Sequence, residues 1–301
     1  MLCSVIIRLV SIYFFGDLVV DKEWGIMLKN LEQNNILSIR SIDGVPVPNI
    51  FMPPLYPLFL YAIKIFINDI STFLNATLIM QLILSITSII LFNKILLELF
   101  SKNFSLIGTL VYSFFPLNVY AVSQISSITL QMLLINIFIL SFIKLFKIIN
   151  VKDVLFFSVS SALLILLRGE FFIFVFLSLI YLFASNKKNF GKIISISFLI
   201  ILIISPYLYR NYKIFGTITI TKSFGYNLLK GSNPSVLIWH GNFITLYTNL
   251  AKLYVKKGEK VNAKQAIGEV FTNQQTGKTQ LQFGIFNNVK ALNPKDWVYQ
   301  M

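Results

Sequence analysis

Long apolar runs separated by short polar loops constrain this chain more than any other feature. Seven runs are candidates for membrane segments, at about residues 1–15, 73–92, 104–121, 125–146, 154–167, 171–184 and 193–208. A helix needs about 20 apolar residues to cross a hydrocarbon layer roughly 30 Å thick. The sequence therefore predicts a mainly α fold, a polytopic membrane helix bundle of about seven transmembrane helices. Another run, 55–67, is shorter and contains Lys64, so we expect an interfacial or re-entrant helix there.

The composition excludes an ordinary soluble domain. The 301 residues are 56 % hydrophobic and 13 % charged, whereas about a quarter of a typical soluble domain is charged. The single cysteine, Cys3, excludes an intrachain disulfide and any zinc-finger spacing. A chain embedded in a bilayer explains these values better than a chain folded in water.

The net charge of +14 raises the question of a nucleic-acid partner, but the lysines have another explanation. By the positive-inside rule, basic loops are cytoplasmic. This places the amino terminus in the cytoplasm, and loop 16–72 and the tail after residue 208 outside it. We therefore expect no nucleic-acid partner. The lysines that set this orientation fall in alternate loops, Lys94 and Lys102, then Lys144, Lys147 and Lys152, then Lys187, Lys188 and Lys192.

Carboxylates in loop 16–72 are the first candidates for chemistry. Asp17, Asp21 and Glu23 follow the first apolar run, so they emerge at a membrane face. There a carboxylate can take a proton from an acceptor hydroxyl while a lipid-linked donor stays in the bilayer. Carboxylates of this kind are more often solvated loop charges, and the residues by themselves leave both interpretations open.

Short motifs in residues 1–234 add a family resemblance. Their order resembles that of polytopic GT-C glycosyltransferases of the dolichyl-phosphate-mannose and aminoarabinose transferase type. The resemblance implies transfer of a sugar from a polyprenyl-phosphate donor at the extracytoplasmic face. The motifs are Gly16-Asp17, Asp21-Lys22-Glu23-Trp24, Pro53-Pro54-Leu55-Tyr56-Pro57, Leu167-Arg168-Gly169-Glu170, Ser205-Pro206-Tyr207-Leu208-Tyr209-Arg210-Asn211-Tyr212 and Gly225-Tyr226-Asn227-Leu228-Leu229-Lys230-Gly231-Ser232-Asn233-Pro234.

The resemblance also implies roles for individual residues. Asp21 would be the general base, with Glu23 and then Asp17 as the other candidates. Arg210 and Arg168 would bind the donor phosphate, since a guanidinium fork matches phosphate oxygens. Arg168 has an alternative role in an ion pair with Glu170 or as a helix-end side chain that reaches the interface. No cofactor is expected, and a divalent cation at the donor phosphate is left open. The partners implied are the lipid-linked sugar donor and membrane lipids.

Two features depart from that family. Many members carry an acidic residue where this chain has Ser126, Ser127 and Thr129. Arg8 interrupts the first run after only a few apolar residues, and an arginine in mid-membrane costs about 3 kcal/mol on insertion scales. The first segment therefore looks shortened at its amino terminus.

After Pro234 the composition changes to alternating apolar and polar residues, which predicts a small β-rich module with a strand over 243–250. The tail carries the runs 240–250, 254–261, 267–268, 281–283 and 292–294. Through these runs it is similar to the second half of the M23 (LytM-type) peptidoglycan endopeptidases, the family that includes the murein hydrolase activators. Active members hold zinc with histidines and an aspartate. Here the corresponding positions are Tyr247-Thr248-Asn249 and Gln280-Leu281-Gln282, and His240 is the only histidine in the chain. The resemblance therefore implies a degenerate module without a metal site.

We expect two domains, a GT-C-like membrane module over 1–234 and a partial M23-like module over 235–301, in the cytoplasmic (inner) membrane of a bacterium. Three functions remain open. The chain can be a lipid-linked-sugar transferase. It can instead be a membrane-tethered, non-enzymatic wall protein that binds peptidoglycan or recruits a cell-wall amidase. The third possibility is an inactive fusion joined near residue 234.

Overall fold

The structure is a computed structural model that describes residues 2–20, 22–42, 45–185, 190–222, 236–240, 243–256, 258–272, 277, 279–287 and 290–297. The chain divides into two compact units, Met1–Lys222 and Ser223–Met301. The first unit is mainly helical and the second contains only strands and one short 3-10 helix among its described residues. The expectation of a helical part followed by a small β-rich part is confirmed.

The first unit consists of ten helices and one short hairpin in its described residues. The elements are α1 (Leu2–Phe15), α2 (Lys22–Asn34), β1 (Arg40–Ile42), β2 (Val45–Val47), α3 (Leu55–Lys64), α4 (Ile70–Leu99), α5 (Lys102–Phe114), α6 (Pro116–Tyr120), α7 (Ile128–Lys147), α8 (Val151–Leu167), α9 (Phe171–Ser185) and α10 (Phe190–Phe215).

Each of the seven predicted runs coincides with a helix, but the count of about seven crossings is not supported. Among the described residues only α4, α7 and α10 are long and apolar enough to cross a membrane. The longest of the other helices, α8, has 17 residues. At 1.5 Å per residue such a helix is roughly 26 Å long, which falls short of a hydrocarbon layer of roughly 30 Å. The 104–121 run is divided further, because Phe115 is extended and Pro116 begins a separate helix.

Loop 16–72, predicted to lie outside the membrane, folds as α2, the β1–β2 hairpin and α3. The Tyr56 ring packs against Trp24 with centroids 5.1 Å apart. Its hydroxyl donates to Gln81 Oε1 on α4 at 3.2 Å, and the Gln81 amide donates to the carbonyls of Val122 and Gln124. Gln81 therefore joins the loop, α4 and the segment before α7.

The α4 helix begins where Asp69 accepts a hydrogen bond from the backbone N–H of Thr72 at 2.7 Å. That N–H and the Thr72 hydroxyl hold the pKa of the Asp69 carboxyl below its usual value. An apolar core lies between α7, α8, α9 and α10, where Phe157, Leu182 and Ile196 are fully buried. These contacts fix the four helices against each other.

The second unit contains a four-stranded antiparallel sheet and a two-stranded hairpin. The sheet has the order β3 (Val236–His240), β4 (Phe243–Thr248), β7 (Gln282–Asn287) and β8 (Lys290–Leu292). The hairpin pairs β5 (Leu250–Leu253) with β6 (Gly268–Val270). The predicted strand over 243–250 is thus β4 and the start of β5, divided at Asn249.

Candidate functional site

Polar side chains meet where β4 ends and β7 begins. Thr248 and Gln282 are paired across the two strands, and the Thr248 hydroxyl donates to Gln282 Oε1 at 3.0 Å. Asn249, the next residue, donates through Nδ2 to the backbone carbonyl of Gln280 at 2.5 Å. We call Thr248, Asn249, Gln280 and Gln282 the amide site. The positions that the sequence placed in the family's metal site therefore do lie together.

The backbone at Asn249 explains how this site is formed. Asn249 has a φ of +64°, a left-handed conformation that asparagine tolerates better than most residues. The chain turns there from the sheet into the β5–β6 hairpin, and the Asn249 carbonyl accepts from the N–H of Phe271 at 2.9 Å. The side chain and the backbone of one residue thus connect β4 to β7 and to the hairpin.

The chemistry of the amide site is that of neutral hydrogen bonding. Amides and hydroxyls donate to and accept from peptide groups and sugar hydroxyls, whereas zinc prefers thiolate, imidazole and carboxylate ligands. The part of the chain that the structure describes contains no group of three or more His, Cys, Asp or Glu side chains able to hold a metal. His240 is exposed at the end of β3 and pairs with Phe243.

An apolar surface adjoins the amide site on the same face of the sheet. Residues paired across antiparallel strands project to the same side. The registers Leu237–Leu246 and Trp239–Ile244 between β3 and β4, and Ile244–Phe286 and Thr248–Gln282 between β4 and β7, put these side chains on one face. Trp239 is 68 % exposed. We call Leu237, Trp239, Ile244, Leu246 and Phe286 the apolar face.

Sequence reasoning missed the apolar face. The alternation of Leu237 and Trp239 with Val236 and Ile238 was the available signal, since strand residues two apart share a face. On the opposite face Phe243 packs against Trp297 with ring centroids 5.1 Å apart. The two tryptophans of this unit therefore lie in different environments.

The carboxylates proposed as a general base occupy different environments in the first unit. Asp17 accepts a hydrogen bond from the backbone N–H of Ile125 at 2.6 Å, and its charge contributes, after burial, to raising the pKa of the Tyr56 phenol. Glu23 is exposed in the first turn of α2. Asp21 lies outside the described residues. The Asp17 carboxylate is therefore already engaged in a hydrogen bond, which holds the segment before α7 in place.

The two arginines proposed to bind a donor phosphate lie on elements connected to residues 49–51, Arg210 directly and Arg168 through Thr221. Arg210 donates to the Asn49 carbonyl at 3.0 Å. Thr221 donates to the Phe51 carbonyl at 2.7 Å, and a Cβ at Gly169, next to Arg168, would lie 2.8 Å from the Thr221 methyl. Arg168 is half-exposed and forms an ion pair with Glu170 at 3.5 Å.

Comparison with known families identifies one region of the chain. Residues 216–294 match the model of Peptidase family M23. The match starts upstream of the expected boundary at 234/235 and includes the 225–234 motif that we had attributed to the glycosyltransferase resemblance. No curated protein and no solved structure matches the chain. The comparisons return no glycosyltransferase family for residues 1–215, so that resemblance has no support from them.

Proposed function

We propose that this protein is a membrane-anchored cell-wall protein whose β unit binds peptidoglycan without cleaving it. The observation that carries the proposal is the amide site inside the M23 match. Its positions resemble the catalytic and metal-binding positions of active members, and they carry Asn249, Gln280 and Gln282.

The side chains present favour binding over hydrolysis. Metal-assisted hydrolysis needs ligands that hold an ion and a base that activates water, and amides do neither. An amide can instead pair with the peptide stems and sugars of the wall. The apolar face next to it would pack against the apolar surfaces of those groups, with Trp239 providing the largest exposed ring.

The membrane helices give this protein its anchor. α4, α7 and α10 meet the length and hydropathy needed to cross a bilayer. By the positive-inside rule the basic segment at the start of α10, residues 187–192, lies in the cytoplasm, so the β unit that follows α10 lies on the extracytoplasmic side, where peptidoglycan is. The 187–188 lysines on which this orientation partly depends lie outside the described residues.

Co-sedimentation of the purified full-length protein with insoluble peptidoglycan tests the proposal. We expect wild type to sediment with the wall and to leave its turbidity unchanged. Trp239→Ala and Gln282→Ala should weaken binding by roughly tenfold each, because each removes a group worth about 1.4 kcal/mol or more. Trp297→Ala, on the opposite face, and Gln265→Ala, outside the amide site, are the matched controls.

Three results would contradict this function. One is no sedimentation of wild type, and another is loss of turbidity without added enzyme. The third is equal weakening by test and control variants. Adding a cell-wall amidase separates binding from activation, since an activator would accelerate loss of turbidity and a pure binding protein would not.

We keep lipid-linked sugar transfer as a second proposal because Arg210 bonds to Asn49, and Gly169 lies against Thr221, which bonds to Phe51. In it Asp21 is the base, with Glu23 and Asp17 as the other candidates, and Arg210 and Arg168 bind the donor phosphate. Asp21→Asn should lower transfer by about 10²- to 10⁴-fold, Glu23→Gln much less, and Arg210→Lys should weaken donor binding. Full activity in both carboxylate variants removes this mechanism.

A further inference from the structure

The first unit contains a small cavity beside Arg8 that neither function uses; its surface is mostly apolar, and a few polar groups border it. Its volume is about 10 Å³, close to the least that holds one water-sized particle. The polar residues that line it come from α1, α4, α5, α6 and α7. They are Arg8, Ser85, Ser88, Tyr112, Asn118 and Thr129.

Arg8 is the charged group of this cavity and is fully buried. Its Nε donates to Ser85 Oγ at 2.9 Å, and its Nη1 donates to Ser4 Oγ at 2.7 Å and to the Ser113 carbonyl at 2.9 Å. Its Nη2 has no hydrogen-bond partner within the described part of the chain. The ion pairs among described residues, Lys147–Glu98 and Arg168–Glu170, do not include it. Among the described residues, the guanidinium therefore has one N–H group without an acceptor and no carboxylate paired with its charge.

The hydroxyls around it are also left with hydrogens to donate. Ser85 Oγ accepts from Arg8, so its own hydrogen is free. Thr129 Oγ1 is buried without a partner among the residues described. Ser88 and Tyr112 share one hydrogen bond at 3.0 Å, and Asn136 donates to both hydroxyls. One of the two hydroxyl hydrogens is therefore left to donate to another acceptor. The polar groups that border the cavity are therefore mainly hydrogen-bond donors, and one of them carries a positive charge.

We propose that Arg8, Ser85 and Thr129 hold a small monovalent anion, with chloride as the probe. A water molecule would satisfy these donors but would leave the buried charge without a counter-ion, and an unpaired buried charge is strongly unfavourable. A cavity this small excludes phosphate and sulfate, which have five heavy atoms, and among anions leaves only a monatomic one. The anion would join α1 to α4 and α7 and stabilise their packing.

The test uses full-length protein in detergent at constant ionic strength, with gluconate replaced by chloride. A ligand of the native state raises Tm with its concentration. We expect chloride and bromide to raise Tm, gluconate, sulfate and phosphate not to, and bound chloride to broaden the ³⁵Cl resonance. Arg8→Gln should abolish both effects. Lys147→Gln removes the same charge at a half-exposed site and should preserve them.

A second pair of variants applies if Arg8→Gln does not fold. Thr129→Val should weaken chloride binding by roughly tenfold, since it removes a donor to a charged ligand. Thr77→Val is the control, because Thr77 is equally buried and donates only to the Phe73 carbonyl. Equal Tm values in chloride and gluconate with a sharp ³⁵Cl resonance would overturn the proposal in favour of water. An Arg8-dependent response to sulfate or phosphate would overturn the choice of a monatomic ion, and an unchanged response in Thr129→Val would place the anion elsewhere.

Discussion

Replacing Asn249 by aspartate tests how the amide site is held together. The substitution keeps the shape of the side chain and its tolerance of positive φ, but a carboxylate cannot donate to the Gln280 carbonyl, which now accepts from Nδ2 at 2.5 Å. A lost hydrogen bond costs about 1 kcal/mol, and the facing oxygens add to this. We expect Asn249→Asp to destabilise the β4–β7 junction by about 1–2 kcal/mol at pH 7.

The pH dependence of this variant has a defined sign. A protonated carboxyl can donate to the Gln280 carbonyl, so the folded state favours the protonated form and raises the pKa of the new aspartate above its unfolded value of about 3.9. The folded state then binds more protons than the unfolded state, and stability falls as pH rises. The loss should therefore be complete at pH 7 and largely reversed below the unfolded pKa.

Hydrogen exchange of the full-length protein, read by mass spectrometry on peptides from β4 and β7, measures this loss against wild type at each pH. Asn293→Asp is the matched control, because Asn293 Oδ1 accepts from the Lys295 N–H and a carboxylate accepts equally well. Wild-type protection in Asn249→Asp at pH 7, or an equal loss in Asn293→Asp, would refute the role assigned to the Asn249 donor.

Membrane orientation, zinc content and the Gln81 contacts can each be tested separately. In a Cys3→Ser background an impermeant thiol reagent should label a cysteine at Lys260 and spare one at Lys188; the reverse pattern would invert the proposed topology. Purified protein should contain no stoichiometric zinc and keep its Tm in chelator, whereas zinc that is lost in His240→Ala would contradict the neutral amide site. Gln81→Leu should lower the free energy of unfolding by about 2–3 kcal/mol, since it strands two carbonyls and the Tyr56 hydroxyl; Thr87→Val, exposed on the same helix, should change Tm little.

The composition of the sites was readable from the sequence, and their geometry was not. The absence of histidine at positions 249, 280 and 282 follows from the printed residues. That these positions approach each other was suggested only by a family resemblance, and that Asn249 bonds to the Gln280 backbone was not foreseen. Trp239 was missed because a single exposed tryptophan in a short alternating strand carries little signal until its neighbours are paired with it.

The sequence by itself determined where helices form, because a helix closes its hydrogen bonds within a few residues and an apolar run makes that local choice favourable. All seven predicted runs coincide with helices for this reason. Their number of membrane crossings did not follow, since helix ends depend on local breaks such as Pro116 and on packing. Only the tertiary structure brought Arg8 to Ser85 and Ser113, 77 and 105 residues away, and Asn249 to Gln280, 31 residues away. Such contacts are set by how helices and strands pack, which no local pattern of residues encodes.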